Sequence, residues 1–598
     1  MSAVFADRTD FANANRGLID VLDPARVRTP DGRLVYDAAN FETATAGECP
    51  DTVNPSLWRQ AQLTAIHGLF EVTNGIYQIR GYDLSNMTLV EGDTGVIVID
   101  PLVSAECASA GLALYRRHRG DRPVTAVIYT HSHIDHFGGV LGVVDADTTV
   151  PIVAPEHFLE HAVSENVYAG NAMLRRGMYH TGVVLPVGAT GTLGAGLGPS
   201  TSTGTVGLLA PTLDITHTGQ TETLDGVRIT FQVTPGTEAP SEMNFCFPDH
   251  RALCLAENAT HNLHNLLTLR GAEVRDARNW SRYLAEAIEL FAYDCDVAFA
   301  SHHWPTWGTT ELVTFLTEQR DLYAYLHDQT LRLLNDGLVG TEIAEDFSMP
   351  PALDAAWHTH GYYGSVSHNV KAIYQRYIGW YDGNPAHLWQ HPPQAAGARY
   401  VRALGGIDVA VARAKEFADE GDLRFAAELA AHAVFAEPDH AEAKGVLESV
   451  LTRLGYGSEC ATWRNNFLVG ADEVNGSNHP AEVSAAGMAG ALTITQVFDS
   501  IAIRIDGPKA WDTTISIRWH FTDVDEIYRM ELHNGALIHY PTRRTDPADL
   551  TVKLTKPQLL GLLAGHDTEA TMDGDTSTIK RITDLTTRPD TSFSIVTP

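Results

Sequence analysis

The feature that most restricts the fold of this chain is a histidine cluster directly after an apolar run. Residues 124–129 read VTAVIY, which predicts a buried β-strand, and residues 130–139 read THSHIDHFGG. Three imidazoles and one carboxylate within six residues can converge at a strand end only if the loop wraps around something that binds them. One or two divalent metal ions suit such donors. The pattern therefore predicts a metal site, and a chance surface cluster is the alternative.

The segments around the cluster predict a layered α/β domain. Val96 to Ile99 is a second continuous apolar run, and the stretch from Ser104 to Arg119 has helical character. The order strand, helix, strand is typical of layered α/β folds. The chain has 598 residues, of which 44% are hydrophobic. That length suggests about three or four domains with sizeable cores.

Two shifts in pattern divide the chain. Pro392 and Pro393 precede an Ala-rich, helix-periodic stretch from about Val401 to Gly455, which resembles a tetratricopeptide-type helix pair. Further on, alternating runs such as DTTISIRWHF and a helical KPQLLGLLAG predict an α+β domain. We therefore expect domains at residues 1–390, 391–470 and 471–598. The first contains an irregular N-terminal arm and the metal site.

Charge and composition exclude several classes of function. The formal net charge of −32 disfavours nucleic acid and anionic membrane surfaces as partners. No run approaches the roughly 18 apolar residues of a membrane span, so we expect no stable membrane insertion. Six scattered cysteines without CxxC pairs, and a start without the basic and apolar regions of a secretory signal, predict a cytoplasmic protein. No lysine precedes Lys371, so an anion bound before that residue must meet arginine or metal.

The histidine motif resembles that of the metallo-β-lactamase superfamily, whose αββα sandwich binds two metals with it. The resemblance covers roughly residues 70–381. A third histidine is usual in a Pro-Gly-His turn, whereas residues 234–240 here read TPGTEAP, with a carboxylate in its place. In this respect the sequence resembles the type III alkylsulfatases, which use glutamate in place of the third histidine. Three further motifs resemble the same family in order: LCLAENATHNLHNLLTLRG, SHHWPTWG and YYGSVSHNVKAIYQRYIGWYDGNP.

The resemblance implies a binuclear site with two Zn²⁺ per chain. His131 and His133 would bind the first metal and Asp135 and His136 the second. Glu238 would complete the first metal site and His302 the second, with Glu257 bridging both ions. Of the adjacent His302 and His303, the family motif selects the first. The structural alternatives are a solvated turn residue for Glu238 and an ordinary acid at a helix start for Glu257.

The resemblance also implies an activity, namely hydrolysis of alkyl sulfate esters such as dodecyl sulfate, a detergent, to alcohol and inorganic sulfate. The water would be activated by the two zinc ions. Asn265 and Arg270 would bind the sulfate group, and a planar guanidinium suits an oxyanion because it donates two parallel hydrogen bonds. His368 is the candidate general acid, because an imidazole titrates near neutral pH. A surface ion pair for Arg270 and a structural histidine for His368 are the alternatives.

The resemblance extends to the rest of the chain. It implies an α/β fold in which the αββα sandwich is followed by an α-helical dimerisation domain and an α+β, sterol-carrier-protein-like C-terminal domain. We therefore expect a homodimer, whose contact would involve the helical segment from Phe417 to Leu454. Burial of the alanines of this segment within one chain is the competing account.

Two other functions stay open from the sequence. The first is another binuclear hydrolase of the same superfamily, acting on a phosphoester or thioester. The second is a non-catalytic lipid carrier whose first domain has lost activity. Glu238 and the pair of Asn265 and Arg270 favour the sulfatase, and the full set of seven proposed ligands disfavours a dead site.

Overall fold

Two β-sheets form the centre of the first domain in the computed structural model, which describes residues 3–477, 479–480 and 485–598. Numbered along the chain, the strands of this part are β1 (Leu18–Asp20), β2 (Arg26–Arg28), β3 (Leu34–Asp37), β4 (Gly68–Thr73), β5 (Ile76–Arg80), β6 (Met87–Glu91), β7 (Val96–Ile99), β8 (Val124–Ile128), β9 (Ile152–Pro155), β10 (Leu213–Ile215), β11 (Thr221–Leu224), β12 (Val227–Val233), β13 (Met243–Phe247), β14 (Ala252–Cys254), β15 (Val297–Phe299) and β16 (Thr306–Trp307). One sheet has the order β1-β4-β5-β6-β7-β8-β9-β10, the other has the order β11-β12-β13-β14-β15-β16, and β2 pairs with β3.

The first sheet is buried on both faces, which explains its continuous apolar runs. In β7, Ile97 and Ile99 face the second sheet and pack with residues such as Phe231 and Phe245. Val96 and Val98 belong to the cluster on the opposite face. A strand covered on both sides has no need of alternating polar residues. The predicted strands 96–99 and 124–129 are therefore confirmed as β7 and β8.

The helices enclose the two sheets and build the next domain. Those up to residue 474 are α1 (Thr9–Asn15), α2 (Ala38–Ala44), α3 (Pro55–Thr64), α4 (Ala105–Arg119), α5 (Phe158–Val163), α6 (Gly170–Thr181), α7 (Ala277–Leu290), α8 (Thr309–Asn335), α9 (Gly340–Asp346), α10 (Pro351–Ala355), α11 (Val366–Ile378), α12 (Pro393–Leu404), α13 (Ile407–Glu420), α14 (Leu423–Ala436), α15 (Ala441–Gly457) and α16 (Ala461–Val474). Helix α4 packs on the first sheet, and α7 and α8 pack on the second. The order helix, sheet, sheet, helix confirms the predicted αββα sandwich.

The Ala-rich segment forms helices that pack on one another, as its helical periodicity predicted. Asp422 caps α14 by accepting a hydrogen bond of 3.2 Å from the Phe425 amide. Alanines such as Ala414, Ala430 and Ala443 are buried among α13, α14, α15 and α16 of the same chain. These alanines therefore allow close packing within one chain, which is the alternative to a dimer contact that was considered for this segment.

The C-terminal domain has one five-stranded sheet with helices, in agreement with the α+β prediction. Its elements are α17 (Ile494–Ala502), α18 (Gly507–Ala510), β17 (Ile515–Phe521), β18 (Glu526–His533), β19 (Ala536–Pro541), β20 (Leu550–Leu554), α19 (Lys556–Leu563), β21 (Thr571–Gly574) and α20 (Ser577–Asp584). The strand order is β19-β18-β17-β20-β21. The apolar core of this domain is continuous with the outer face of the first sheet, and Tyr168 donates a hydrogen bond of 2.7 Å to Asp499. None of the described helices has the length and apolar character needed to cross a membrane.

Candidate metal centre

The histidine loop begins where two parallel strands end side by side. Residue Asp100 follows β7 in a left-handed conformation, with φ of 53°, and β7 pairs in parallel with β8. The Asp100 carboxylate accepts hydrogen bonds from the Thr130 amide at 2.8 Å and from His136 Nδ1 at 3.0 Å. It also accepts one of 2.6 Å from the Ser301 hydroxyl. One buried acid therefore fixes the start of the loop and the ring of His136.

The first group of donor atoms joins the histidine loop to two distant acids. His131 Nε2 lies 3.1 Å from Glu238 Oε2, and His133 Nδ1 lies 2.8 Å from the same oxygen. Glu257 completes the group, whose donor atoms all lie within 4.8 Å of one another. Glu238 comes from the turn after β12, and Glu257 follows β14. Strand ends of both sheets thus contribute to this group.

The second group consists of Asp135, His136 and His302, and Glu257 lies between the two groups. Its Oε2 atom is 3.4 Å from His131 Nε2 and 3.1 Å from His302 Nε2. The distance from Glu257 Oε2 to His136 Nε2 is also 3.4 Å. The structure therefore brings together all seven residues expected to bind metal, with Glu257 between the two groups.

The donor set fits divalent cations. The atoms His131 Nε2, His136 Nε2 and Glu238 Oε2 are buried without a hydrogen-bond partner. The other ring nitrogen is held in three of the histidines: at 2.9 Å by the Thr130 hydroxyl for His131, at 3.0 Å by the Asp100 carboxylate for His136, and at 3.1 Å by the Leu84 carbonyl for His302. Buried polar atoms are rarely left unpaired, and metal-binding histidines usually have the second nitrogen fixed in this way. The site is thus built for a group that accepts lone pairs from several directions.

The electrostatics of the site agree with this assignment. Burial opposes ionisation of Glu257, but the His302 imidazole and other neighbours hold the pKa of that carboxyl well below its usual range. Burial likewise disfavours a charged His131, yet the Glu238 carboxylate raises the pKa of this histidine to about 10. Without metal the negative carboxylates attract protons to the imidazoles. A cation would take the place of those protons.

Sequence reasoning missed Glu242, which links the two loops that carry the acidic ligands. Its Oε2 accepts hydrogen bonds from the Glu238 amide at 3.0 Å and from the Thr237 hydroxyl at 2.8 Å. Its Oε1 accepts one of 3.1 Å from the Glu257 amide. Burial, as the largest cause, raises the pKa of Glu242 to about 7. No motif marks this residue, because its role depends on contacts made after the sheet has folded.

The expected sulfate-binding arginine lies beside the cluster, in contact with a second missed residue. Arg270 Nη2 is 3.0 Å from Glu165 Oε2, and Glu165 lies 3.6 Å from His133 Nε2. Glu165 belongs to a π-helical turn, Ser164–Tyr168, of a kind that often occurs at functional sites. Arg270 Nη1 also lies 3.6 Å from the Met173 sulfur, so an apolar side chain adjoins the cation.

The amide of Asn265 is occupied within the protein. Its Nδ2 donates a hydrogen bond of 3.0 Å to the Tyr363 carbonyl, and its Oδ1 accepts one of 2.7 Å from Arg275. Arg275, a third residue missed from the sequence, also forms a buried ion pair of 2.5 Å with Glu238. Asn265 therefore connects through Arg275 to a proposed metal ligand.

The His368 ring lies in contacts that favour the structural alternative. Its Nε2 is hydrogen-bonded at 2.5 Å to the Leu267 carbonyl, and its Nδ1 accepts from Trp463 at 3.3 Å. Burial, as the largest cause, lowers the pKa of His368 to about 4. A different polar pair, Tyr363 and His180, adjoins the arginines, with 3.1 Å between the hydroxyl and His180 Nε2.

The αββα sandwich and its metal-binding groups indicate the class to which the protein belongs. A family model for the metallo-β-lactamase superfamily matches residues 80–302. Models for the alkyl sulfatase dimerisation domain and the alkyl sulfatase C-terminal domain match residues 339–477 and 482–598. The chain thus combines a metallo-β-lactamase domain with two domains described for alkyl sulfatases.

Whole-chain similarity makes the assignment specific. The chain is 45% identical to a linear primary-alkylsulfatase of a Pseudomonas species, with 99% of this chain and 90% of the relative covered. It is 43% identical to an alkyl/aryl-sulfatase of Saccharomyces cerevisiae, with coverage of 99% and 94%. The solved structure of the stereoselective inverting sec-alkylsulfatase Pisa1 from a Pseudomonas species superimposes with a TM-score of 0.97, at 42% identity and coverage of 99% and 96%. The chain belongs to the alkylsulfatase family.

Proposed function

We propose that this protein hydrolyses alkyl sulfate esters, such as dodecyl sulfate, to an alcohol and inorganic sulfate, and that it does so with two Zn²⁺ ions. The observation that carries the proposal is the position of Glu257 between two groups of donor atoms. A partly buried arginine, Arg270, approaches the first group through Glu165. Relatives named for primary and for secondary alkyl sulfates are similar to this chain over most of their length. The proposed substrate class therefore includes both.

We assign His131, His133 and Glu238 to the first ion and Asp135, His136 and His302 to the second, with Glu257 shared. Imidazole nitrogens and carboxylate oxygens are ligands that zinc accepts in catalytic sites. When bound, the two ions supply acidified water at neutral pH and positive charge opposite the sulfate oxygens. The carboxylates of three ligands nearly balance the charge of two divalent ions.

In this proposal Arg270 binds the sulfate group. A substrate oxyanion would compete with Glu165 for its guanidinium, because both are anionic acceptors of the same donors. Met173, beside Arg270, provides apolar surface for the start of the alkyl chain. Asn265 contributes by holding Arg275, which in turn holds Glu238. His368 remains a candidate acid from the family resemblance, and its hydrogen bonds support a structural role.

The decisive experiment compares substrates and metal content in purified protein. We expect sulfate release from dodecyl sulfate, and loss of both the rate and part of the metal in Glu238→Ala. Glu420→Ala, an exposed acid at the end of α13, is the matched control and should behave as wild type. Bound zinc with turnover of phosphoesters or thioesters alone would favour another binuclear hydrolase. A protein that binds no metal would favour the carrier alternative.

We further propose that the protein is a homodimer. The segment matched by the dimerisation model carries a cluster of exposed apolar side chains, with Trp380 76%, Leu388 57% and Trp389 95% exposed. Exposed clusters of large aromatic residues are typical of interfaces. In light scattering, wild type should have twice the mass of one chain and Trp389→Asp should shift toward monomer. Tyr293→Asp, at an exposed tyrosine outside the cluster, should stay dimeric, and a monomeric wild type would contradict the proposal.

A further inference from the structure

Arg80, the last residue of β5, is a buried cation without a counter-charge. It is 5% exposed, and its Nε and Nη2 atoms are buried without a hydrogen-bond partner. The Arg80 guanidinium lies over the ring of Phe70, with 3.4 Å between Arg80 Cζ and the ring centroid. Burial alone lowers the pKa of Arg80 to about 9, with no acidic neighbour to oppose the effect. At neutral pH this guanidinium is therefore charged and uncompensated.

The other arginines that are buried to this degree among the described residues have acceptors. Arg59, Arg175 and Arg275 pair with Asp10, Glu473 and Glu238. Arg464 donates to three backbone carbonyls, of Gly191, Thr52 and Ala189. An unpaired buried charge costs several kcal/mol, so a partner for Arg80 is expected.

A small cavity adjoins Arg80 and supplies a place for that partner. Its volume is about 20 Å³, and Trp304, Asn86 and His303 line it with Arg80. Trp304, 4% exposed, has a buried Nε1 atom without an acceptor. Guanidinium and indole groups donate hydrogen bonds and cannot accept them. The lining thus combines a positive charge with unused donors, and the volume exceeds the roughly 10–15 Å³ that one water-sized occupant needs.

We propose that this cavity binds a monovalent halide, with chloride as the occupant in solution, held by the guanidinium of Arg80 and the indole N–H of Trp304. A water molecule could accept both hydrogen bonds but would leave the buried charge uncompensated, whereas a halide meets both needs. None of the seven proposed metal ligands lines the cavity. It is therefore separate from the substrate site.

The position of the cavity connects it to the metal centre indirectly. Leu84, another lining residue, accepts the hydrogen bond of His302 Nδ1 at 3.1 Å through its carbonyl. Asn86 Nδ2 donates a hydrogen bond of 2.8 Å to the His303 carbonyl. An occupant of the cavity would thus stabilise the wall behind His302, and its binding should be visible as stability.

The direct test is crystallographic. Crystals of the zinc-loaded protein soaked in bromide should show an anomalous peak between Arg80 and Trp304. The peak should be absent in Arg80→Met and present in Arg544→Met, whose arginine is exposed. A wild-type cavity that contains water and no bromide would overturn the proposal.

A second test uses thermal unfolding and does not depend on activity. At constant ionic strength, replacing gluconate with chloride should raise the Tm of wild type, because a ligand that binds only the native state stabilises it. Arg544→Met should respond like wild type. Trp304→Phe removes one hydrogen-bond donor and keeps an aromatic ring. The increase in Tm with chloride should therefore be smaller in this variant than in wild type. This variant keeps the test decisive if Arg80→Met does not fold. A wild-type Tm that is indifferent to chloride, or an undiminished response in Trp304→Phe, would count against the site.

Discussion

Glu242 holds the geometry of the metal centre without being one of the seven proposed ligands. Its two carboxylate oxygens accept hydrogen bonds from the loops of Glu238 and Glu257 at the same time. In Glu242→Gln, the amide NH₂ would face a backbone N–H of one loop. Because residues that orient metal ligands affect affinity strongly, we expect zinc affinity to fall by about 10- to 100-fold. Competition with a chromogenic chelator measures this affinity.

The control for Glu242 is Glu420→Gln, since Glu420 is exposed on α13 far along the chain. It should keep the wild-type affinity. Equal zinc affinity in Glu242→Gln and wild type would show that the two loops hold their positions without this carboxylate.

The contacts of His368 predict that its replacement affects stability more than proton transfer. Both ring nitrogens are used, by Leu267 and Trp463. In His368→Asn we expect a loss of about 1–3 kcal/mol in the free energy of unfolding, the cost of leaving buried partners unsatisfied. The ratio of rates on dodecyl sulfate and 4-nitrophenyl sulfate should stay at the wild-type value.

This ratio is informative for S–O cleavage, because an alkoxide leaving group then needs a proton far more than a nitrophenolate does. His217→Asn, at an exposed histidine, is the control. A selective loss of the dodecyl sulfate rate in His368→Asn would identify His368 as the general acid.

At the scale of elements, the π-helical turn Ser164–Tyr168 sets the charge beside the proposed substrate site. It places Glu165 against both Arg270 and His133. The isosteric change Glu165→Gln keeps a hydrogen-bond acceptor and removes a negative charge that competes with sulfate for the arginine. We expect inorganic sulfate to inhibit this variant more strongly, with a Ki lower by up to about ten-fold. Inhibition of dodecyl sulfate hydrolysis provides the measurement.

Glu160→Gln is the matched control for Glu165, because Glu160 lies on the preceding helix α5 with its side chain 71% exposed. Its Ki should match wild type. A higher Ki for sulfate in Glu165→Gln would mean that Glu165 positions Arg270 for binding and does not compete with the substrate.

Helix α6 is attached to the end of the chain through Glu473 of α16. One Glu473 oxygen accepts from Arg175 at 2.8 Å, and the other accepts from the Ile595 and Val596 amides at 2.7 and 2.8 Å. Glu473→Ala leaves the buried Arg175 without its carboxylate partner, so we expect a loss of about 3–5 kcal/mol in stability. Urea unfolding measures the change. Asp546→Ala, which breaks an exposed ion pair, should leave the midpoint unchanged, and a similar result for Glu473→Ala would contradict the role of this residue.

At the scale of the whole molecule, the layers and domain types could be predicted from sequence periodicity and motifs. A strand that is buried on both faces has a continuous apolar run, such as Val96 to Ile99, and this run is visible in the sequence. The histidine loop could be recognised from its position after a strand, whereas Glu238, Glu257 and His302 could be named only through motifs that resemble those of alkylsulfatases. Glu165, Glu242 and Arg275 could not, because each acts through partners that become neighbours only in the folded chain. The exposed aromatic residues around Trp389, which we propose as the dimer contact, could not be identified from the sequence for the same reason, since exposure is defined only in the folded chain.

The net charge of −32 includes three carboxylates that the fold places in the metal centre. Glu238 and Glu257 are buried in one donor group and Asp135 is half-buried in the other, where metal ions would compensate them. Exposed charges more than about 10 Å away are largely screened at 0.1 M salt, so an acidic surface and an anionic substrate are compatible. The absence of lysine before Lys371 leaves arginines such as Arg270 as the permanent cations near the site.

The most direct test of the proposed binuclear centre is a zinc titration of the chelator-treated protein, followed by both bound metal and sulfate release from dodecyl sulfate. The proposed function predicts that sulfate release is lost on chelation, returns with zinc, and reaches its maximum at two bound ions per chain. Full hydrolysis by metal-free protein, or two bound zinc ions without any sulfate release, would contradict it.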